Sequence, residues 1–341
     1  MRQLMFEAAG QYAWREAPDL VITAPQQALV RPLMVACCDL DVGVAHGRLP
    51  LPPGHAVGHE GLAEVVAVGD EVTSVQVGDR VVVPFQISCG TCRECRRGVT
   101  GTCGSVPLMS MYGMAPIAGL DGGGFMADQV LVPYADAMLI PVPESVDPVA
   151  IASLSDNIPD GWRTVAPYAS ELAALDEVDR RVLVVGTLSI GLYAAAIGVA
   201  LGAHVDYVDT DEGRLAAAEK LGAAVHDVAK PDKSWDPFPV TAHTSANPAL
   251  LAATLRATWP DGVCTDTGIY YDKVEMPLLP MYTRGVRFVT GRVSARAVIP
   301  HVLGLLADGL DLSPVVDRSV PWEDAPSVWP AMTGKTVFTR A

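Results

Sequence analysis

Two hydrophobic rhythms divide the chain. Up to about residue 155 the apolar positions come in short runs such as Ala63–Val68, Arg80–Phe85 and Gln129–Pro133, separated by stretches rich in Gly and Pro. Short runs with frequent turns predict an irregular, mostly β region. From 157 to 290 the rhythm changes. Val182–Val185 leads to a helical stretch near Ile190–Leu201, His204–Val208 to Glu212–Leu221, and Phe238–Thr241 to Pro248–Thr258; Gly262–Thr267 and Val286–Val289 follow. Strands alternating with helices predict a doubly wound parallel sheet. Residues 291–341 hold one helical stretch, Val298–Asp308, and a Pro-rich tail ending Lys335-Thr336-Val337-Phe338. That tail is too small for a domain and is expected to return to the first region.

One segment imitates a membrane span. Val182–Ala203 carries no charge and is long enough to cross a bilayer, but Gly186, Gly191, Gly198 and Gly202 punctuate it. Its change from β-branched to Ala-rich composition predicts a strand, a tight turn and a buried helix instead. With 341 residues, half of them hydrophobic and 18% charged, the chain has material for two or three packed domains. Its net charge of −15 argues against nucleic-acid or anionic-membrane partners. Glu7 interrupts the N-terminus before a signal-like apolar core can form, so a cytoplasmic protein is expected.

Chemistry concentrates first in Cys89, Cys92, Cys95 and Cys103, spaced C-x2-C-x2-C-x7-C. Disulfides there would require an oxidising compartment. Four thiolates can instead close a tetrahedral shell on a structural zinc, with an iron–sulfur cluster as the rival. Gly90, Gly98 and Gly101 let the backbone fold around such a centre. A second signal follows Val182–Val185, in the turn Gly186-Thr187-Leu188-Ser189-Ile190-Gly191. The dinucleotide fingerprint wants a middle glycine where Leu188 stands. Asp209, eighteen residues after Gly191, is placed to bind a ribose 2′-hydroxyl and to repel a 2′-phosphate, which favours NAD over NADP.

Gly58-His59-Glu60-Gly61, Val68-Gly69-Asp70-Glu71-Val72, Gly78-Asp79-Arg80-Val81, the four cysteines, Gly123–Asp128 and Ala150–Val165 together resemble the zinc-containing medium-chain alcohol dehydrogenases. The resemblance runs from about residue 25 to the end. It implies an α/β chain with a GroES-like, mostly β catalytic domain at 1–156 and 291–341, whose structural zinc lobe spans about 86–106. A Rossmann NAD-binding domain would occupy 157–290, with the active site in the cleft between the two.

The same resemblance implies a catalytic zinc on Cys38, His59 and Asp156, two zinc ions per chain, and NAD as cofactor. Cys38-Asp39-Leu40-Asp41 matches the family's C-x-x-D, so Cys38 is preferred over Cys37. Asp41 would orient the His59 ring, and Glu60 would stand behind the metal. Asp156, in Leu154–Trp162, resembles the branch containing formaldehyde dehydrogenases. Arg214 and Lys335 match positions that approach the ribose and the pyrophosphate.

The implied activity is NAD-linked oxidation of a small alcohol, or reduction of an aldehyde or ketone, in a homodimer or homotetramer. Zinc would act as a Lewis acid on the substrate oxygen. Leu40 and Gly43 depart from the family, which carries a hydroxyl and often a His in its proton relay. Asp39, His46 or a water could substitute. This departure keeps open a redox-neutral aldehyde dismutase that retains its NAD, and a non-catalytic protein that binds zinc and nucleotide. Met109, Met111, Tyr112, Met114, Trp162 and Tyr270 are candidates for an apolar pocket or for plain core.

Overall fold

The computed structural model describes residues 1–49, 51–114, 120, 122–186 and 188–340. β1 (Arg2–Ala8) and β2 (Gln11–Glu16) form an antiparallel hairpin that turns Leu4, Phe6 and Tyr12 inward. β3 (Ala28–Ala36) runs into α1 (Asp39–Ala45), and β4 (His55–Ala56) then pairs with β1. β5 (Glu60–Val68) comes back antiparallel to β3, and β6 (Arg80–Val82) pairs with β5. After the short helix α2 (Arg93–Arg96), β7 (Val130–Val132) adds to β3. Beyond α3 (Ala135–Met138), β8 (Ile140–Pro141) pairs with β6. Pro32 sits in β3 where the register with β5 shifts, a place that tolerates a residue without an N–H.

A 3-10 turn at Ala152–Ser155 precedes α4 (Asn157–Val165). The turn is tied to β5 through one buried hydroxyl. β6 pairs with Leu62, Ala63 and Glu64 and stops short of Gly61. Ser155 Oγ takes over there, accepting the Gly61 N–H at 3.0 Å and donating to the Gly61 carbonyl at 3.0 Å.

After α5 (Ala169–Ala173) a second sheet begins with β9 (Arg181–Gly186), followed by α6 (Leu188–Ala200) and β10 (His204–Asp209). α7 (Glu212–Lys220), β11 (Ala224–Asp227) and β12 (Phe238–Thr244) come next. α8 (Pro248–Arg256), β13 (Thr258–Asp266), α9 (Leu278–Arg284) and β14 (Arg287–Thr290) complete it. The strands stand in the order β11-β10-β9-β12-β13-β14, and every pair is parallel. The chain therefore reverses its winding between β9 and β12, the switch point where sheets of this kind bind ligands. The uncharged stretch from Val182 resolves into β9 and α6. Among the described residues no helix is long and apolar enough to cross a membrane.

In the second sheet the hydrophobic pattern anticipates β9, β10, β12 and β14 and the helices α6, α7 and α8, and departs from the structure elsewhere. β11 and α9 were not expected, because each is short and its burial shows no sustained stripe. β13 starts at Thr258 rather than Gly262, its first residues carrying the exposed Pro260 and Asp261 that hide a strand from a hydrophobic reading.

α10 (Ala295–Ala307) then leads to β15 (Arg318–Pro321), α11 (Ala325–Val328) and β16 (Thr336–Thr339). β16 pairs with β3 and β15 with β16, so the C-terminal strands extend the sheet of β3, β5, β6 and β8. Trp329 stacks on Phe338, with ring centroids 5.1 Å apart, in the core of this region. The chain forms two compact units. One comprises Met1–Pro159, Ser294–Leu303 and the residues from Val316 onward; the other comprises Asp160–Val293 and Gly304–Val315.

Replacing Ser155 by Ala leaves the Gly61 N–H and carbonyl buried without their partner. Denaturant unfolding should show a loss of about 1–3 kcal/mol. Unchanged stability would mean that the hydroxyl does not hold the turn.

Candidate active site and metal centres

The first unit assembles its polar site from strand ends. Ala36, the last residue of β3, lies opposite Glu60, the first residue of β5, and beside Val337 of β16. The residues just beyond those ends therefore converge: Cys37 and Cys38 after β3, His59 before β5, Lys335 before β16. The glycines around His59 permit this closeness. Gly58 takes φ +89°, and a Cβ on Gly61 would lie 2.6 Å from the Met34 carbonyl oxygen. Ser155, bonded to Gly61, brings Asp156 to the same point.

Cys38 Sγ and Asp156 Oδ2 lie 3.6 Å apart, as do Asp156 Oδ2 and His59 Nε2. Bonds of about 2.0 Å to N and O and 2.3 Å to S, at tetrahedral angles, place ligand atoms roughly 3.3–3.6 Å apart. Neither ring nitrogen of the fully buried His59 has a hydrogen-bond partner. Buried polar atoms are ordinarily paired, so an orphan facing a thiol and a carboxylate fits a metal ligand. Cys38, His59, Glu60 and Asp156 each present a donor atom within 4.8 Å of the others.

The electrostatics agree. Burial pushes the Cys38 thiol up, and the Asp156 and Glu60 charges push it further. Burial also raises Glu60 to about 7. Burial works against a charged His59, yet Asp41 and Asp156 outweigh it and draw the imidazole up to about 9. Burial leads the first two displacements and the neighbouring carboxylates produce the third, with Asp156 adding to all of them; a cation would relieve that shared charge.

Asp41 accepts the Cys38 N–H at 2.9 Å and stands 3.9 Å from His59 Nδ1, facing the ring but beyond hydrogen-bond reach. Glu60 accepts the Asn157 N–H at 3.2 Å and pairs with Lys335 Nζ at 3.0 Å. Lys335, expected near a pyrophosphate, is itself buried and also donates to the Cys37 carbonyl and the Asn157 side chain. Cys37 is buried, its sulfur accepts the Thr336 N–H at 3.2 Å, and burial pushes its thiol up to about 12. Sequence reasoning passed over Asn157, whose one visible signal is a polar residue directly after Asp156.

The other four cysteines also converge. Their Sγ atoms lie within 4.8 Å of one another, and Cys92 and Cys103 stand 3.9 Å apart, against about 2.05 Å for a disulfide. Four thiolates around one zinc sit about 3.8 Å apart. Backbone N–H groups already point at the sulfurs. Thr91 and Cys92 donate to Cys89, Cys95 and Gly104 donate to Cys92, and Cys89 donates to Cys103. Burial would raise the Cys89 thiol, but the Ser105 and Thr91 hydroxyls and these N–H groups bring it down to about 5. A zinc ion held by these four sulfurs would have no position left for a substrate.

In the second unit the carboxyl ends of the strands carry the expected turn. A Cβ on Gly186 would fall 1.7 Å from Thr244 Oγ1 of the adjacent strand, and one on Gly191 2.8 Å from the same atom. Leu188 begins α6 with φ +65°, so the backbone keeps a glycine-like conformation where the fingerprint wants glycine. Ser189 and Ile190 are buried in the first turn of that helix, and Thr187 lies outside the described residues. Asp209 ends β10. Its carboxylate accepts two bonds from Arg214, at 2.7 and 3.0 Å, and one each from the N–H groups of Thr210 and Asp211. Arg214 thus already neutralises the acid expected to meet the ribose.

A buried network at the ends of β12 and β13 was not foreseen. His243 Nδ1 lies 2.7 Å from Asp266 Oδ1, and its Nε2 lies 2.9 Å from Ser245 Oγ. The Tyr270 hydroxyl reaches the same group at 3.4 Å, while Tyr112 and Met111 are core residues of the first unit.

Residues 24–144 match the alcohol dehydrogenase GroES-like domain. A glutathione-independent formaldehyde dehydrogenase of Pseudomonas aeruginosa is 35% identical over 210 residues, 59% of this chain and 51% of that protein. That match therefore spans about half of the relative's length. A probable zinc-binding alcohol dehydrogenase of Mycobacterium tuberculosis is 27% identical over 95% of this chain and 83% of its own. The structure of an alcohol dehydrogenase from Thermus sp. ATN1 superposes with a TM-score of 0.88 at 26% identity, covering all of both chains. Residues 24–144 carry the alcohol dehydrogenase GroES-like domain, and the whole chain is similar to zinc-type medium-chain alcohol dehydrogenases. In the terms of that family, the fold combines a GroES-like region with a Rossmann-type parallel sheet.

The two donor sets predict separable effects. Cys95→Ser should lower thermal stability, on the order of several kcal/mol, because metal binding in a closed shell is folding energy. Asp156→Asn should keep the fold, seen by circular dichroism, while reducing bound metal. Equal behaviour of the two variants would contradict separate structural and open sites.

Proposed function

We propose that this chain is a zinc-dependent oxidoreductase that moves hydride between an alcohol, or an aldehyde or ketone in reverse, and NAD(H). One zinc is held by Cys89, Cys92, Cys95 and Cys103, and the reactive one by Cys38, His59 and Asp156. The observation that carries this reading is the orphaned, buried His59 ring beside a thiol and a carboxylate at tetrahedral-edge distances. When bound, zinc supplies Lewis-acid polarisation of a substrate oxygen and NAD supplies the hydride acceptor.

The chain's own residues determine the rest. Asp41 faces the His59 ring and favours the imidazole orientation that turns Nε2 toward Asp156 and Cys38. Lys335 answers the Glu60 carboxylate with a buried ion pair at 3.0 Å. Leu40 and Gly43 offer no proton carrier, and a Cβ on Gly43 would lie 2.8 Å from Leu49 Cδ1, so this place is filled by aliphatic packing. His46 is exposed and stands 3.3 Å from an Arg48 nitrogen. Proton removal is therefore slow near neutrality and eased by rising pH.

For the cofactor, Asp209 supports NAD, and its bond to Arg214 sharpens the expectation. Removing the carboxylate frees a guanidinium suited to a phosphate. The Asp156 ligand and the Pseudomonas relative's name support a small aldehyde or alcohol as substrate.

Zinc-replete protein should produce NADH absorbance with some member of a panel of small alcohols, at a rate that climbs with pH. Leu40→Ser should raise the neutral-pH rate on the order of a hundredfold if a hydroxyl restores the relay. Asp209→Gly should gain affinity for NADPH, a gain lost again in Asp209→Gly with Arg214→Ala. Leu188→Gly should tighten NAD. No turnover of any alcohol or carbonyl would contradict the proposal, and aldehyde turnover without added NAD would indicate a dismutase.

A further inference from the structure

Asn157 touches two of the three proposed ligands, and the structure settles which way its amide points. Lysine can only donate, and Lys335 Nζ lies 3.0 Å from Asn157 Oδ1, so that atom is the carbonyl oxygen. The opposite end is then the NH2 group. Its nitrogen lies 3.3 Å from Cys38 Sγ and 3.2 Å from Asp156 Oδ2, one N–H for each. Asn157 is 1% exposed, so these bonds are shielded from bulk solvent. Lys335 is locked in turn, its other donors meeting the Cys37 carbonyl at 2.6 Å and Glu60 Oε2 at 3.0 Å.

We propose that Asn157, oriented by Lys335, is a positioning residue that clamps Cys38 and Asp156 together and weakens the Cys38 thiolate as an electron donor. This rests on the reading that Cys38, His59 and Asp156 hold a metal ion. A hydrogen bond to a thiolate draws charge from sulfur, so the ion receives less and becomes a stronger Lewis acid. That property suits a chain whose Leu40 and Gly43 provide no relay for the substrate proton. A residue that merely filled space would leave sulfur's donor strength unchanged.

The test uses cobalt(II) exchanged into the purified protein. The thiolate-to-cobalt absorption band of this site is identified by its disappearance in Cys38→Ser, with the four-cysteine contribution common to all samples. In Asn157→Ala the band should move to longer wavelength, because the unbonded sulfur gives up charge more easily. Cobalt affinity should fall about 10–100-fold, because losing the clamp on Cys38 and Asp156 outweighs the stronger sulfur donor. Lys335→Met should shift the band the same way by less, and it decides the matter if Asn157→Ala does not fold. A band that stays in place in the folded variants overturns the inference while leaving the metal site standing. Absence of any Cys38-dependent band in the unmodified protein overturns the metal reading itself.

Discussion

The proposed reactive centre depends on the register of three strands. Ala36 of β3 stands opposite Glu60 and beside Val337, so the loops leaving those strands have nowhere to go but toward one another. A slip of one residue would turn Cys38 and His59 to opposite faces. The register is held by Val30, Val35, Ala63 and Val65, all fully buried in one hydrophobic cluster, so the packing of an ordinary β core positions the chemistry. Ser155 adds the fourth line of approach by completing the hydrogen bonds of Gly61.

What converges there is costly without a counter-ion. Asp41, Glu60, Asp156 and Cys38 are buried together, and Lys335 answers Glu60 directly. Isolated buried carboxylates are driven toward neutrality, whereas a divalent ion lets thiolate and carboxylate remain charged. The four-cysteine lobe solves a different problem. Its sulfurs are met by backbone N–H groups from their own loop, so it can close around an ion without using the rest of the core. One donor set is built from distant residues; the other is local to a single loop.

That difference explains what could be read in advance. The four cysteines lie within fifteen residues, and spacing alone predicts their meeting. Cys38, His59 and Asp156 are distant in sequence, and only resemblance to a family implied that they meet. The alternation of strands and helices after 157 was legible because buried parallel strands are strongly apolar. β11 was missed because its residues, Ala224–Asp227, have no buried apolar run. Asn157, His243 and Asp266 were missed for a common reason. Each lies among other polar residues at the end of a strand or turn, with no spacing that marks it out, and its importance lies in partners that folding supplies. Leu188 was read as a defect in the cofactor turn, yet the backbone there keeps a positive φ without glycine.

The central claim is that this fold creates two chemically distinct zinc sites, one all-sulfur and closed, one mixed and open. Anomalous diffraction at the zinc absorption edge, from crystals of the purified protein, tests it most directly. The account predicts two peaks, one ringed by Cys89, Cys92, Cys95 and Cys103 and one within bonding distance of Cys38, His59 and Asp156. A single peak in the four-cysteine lobe, with His59 still unliganded in zinc-replete crystals, would contradict it.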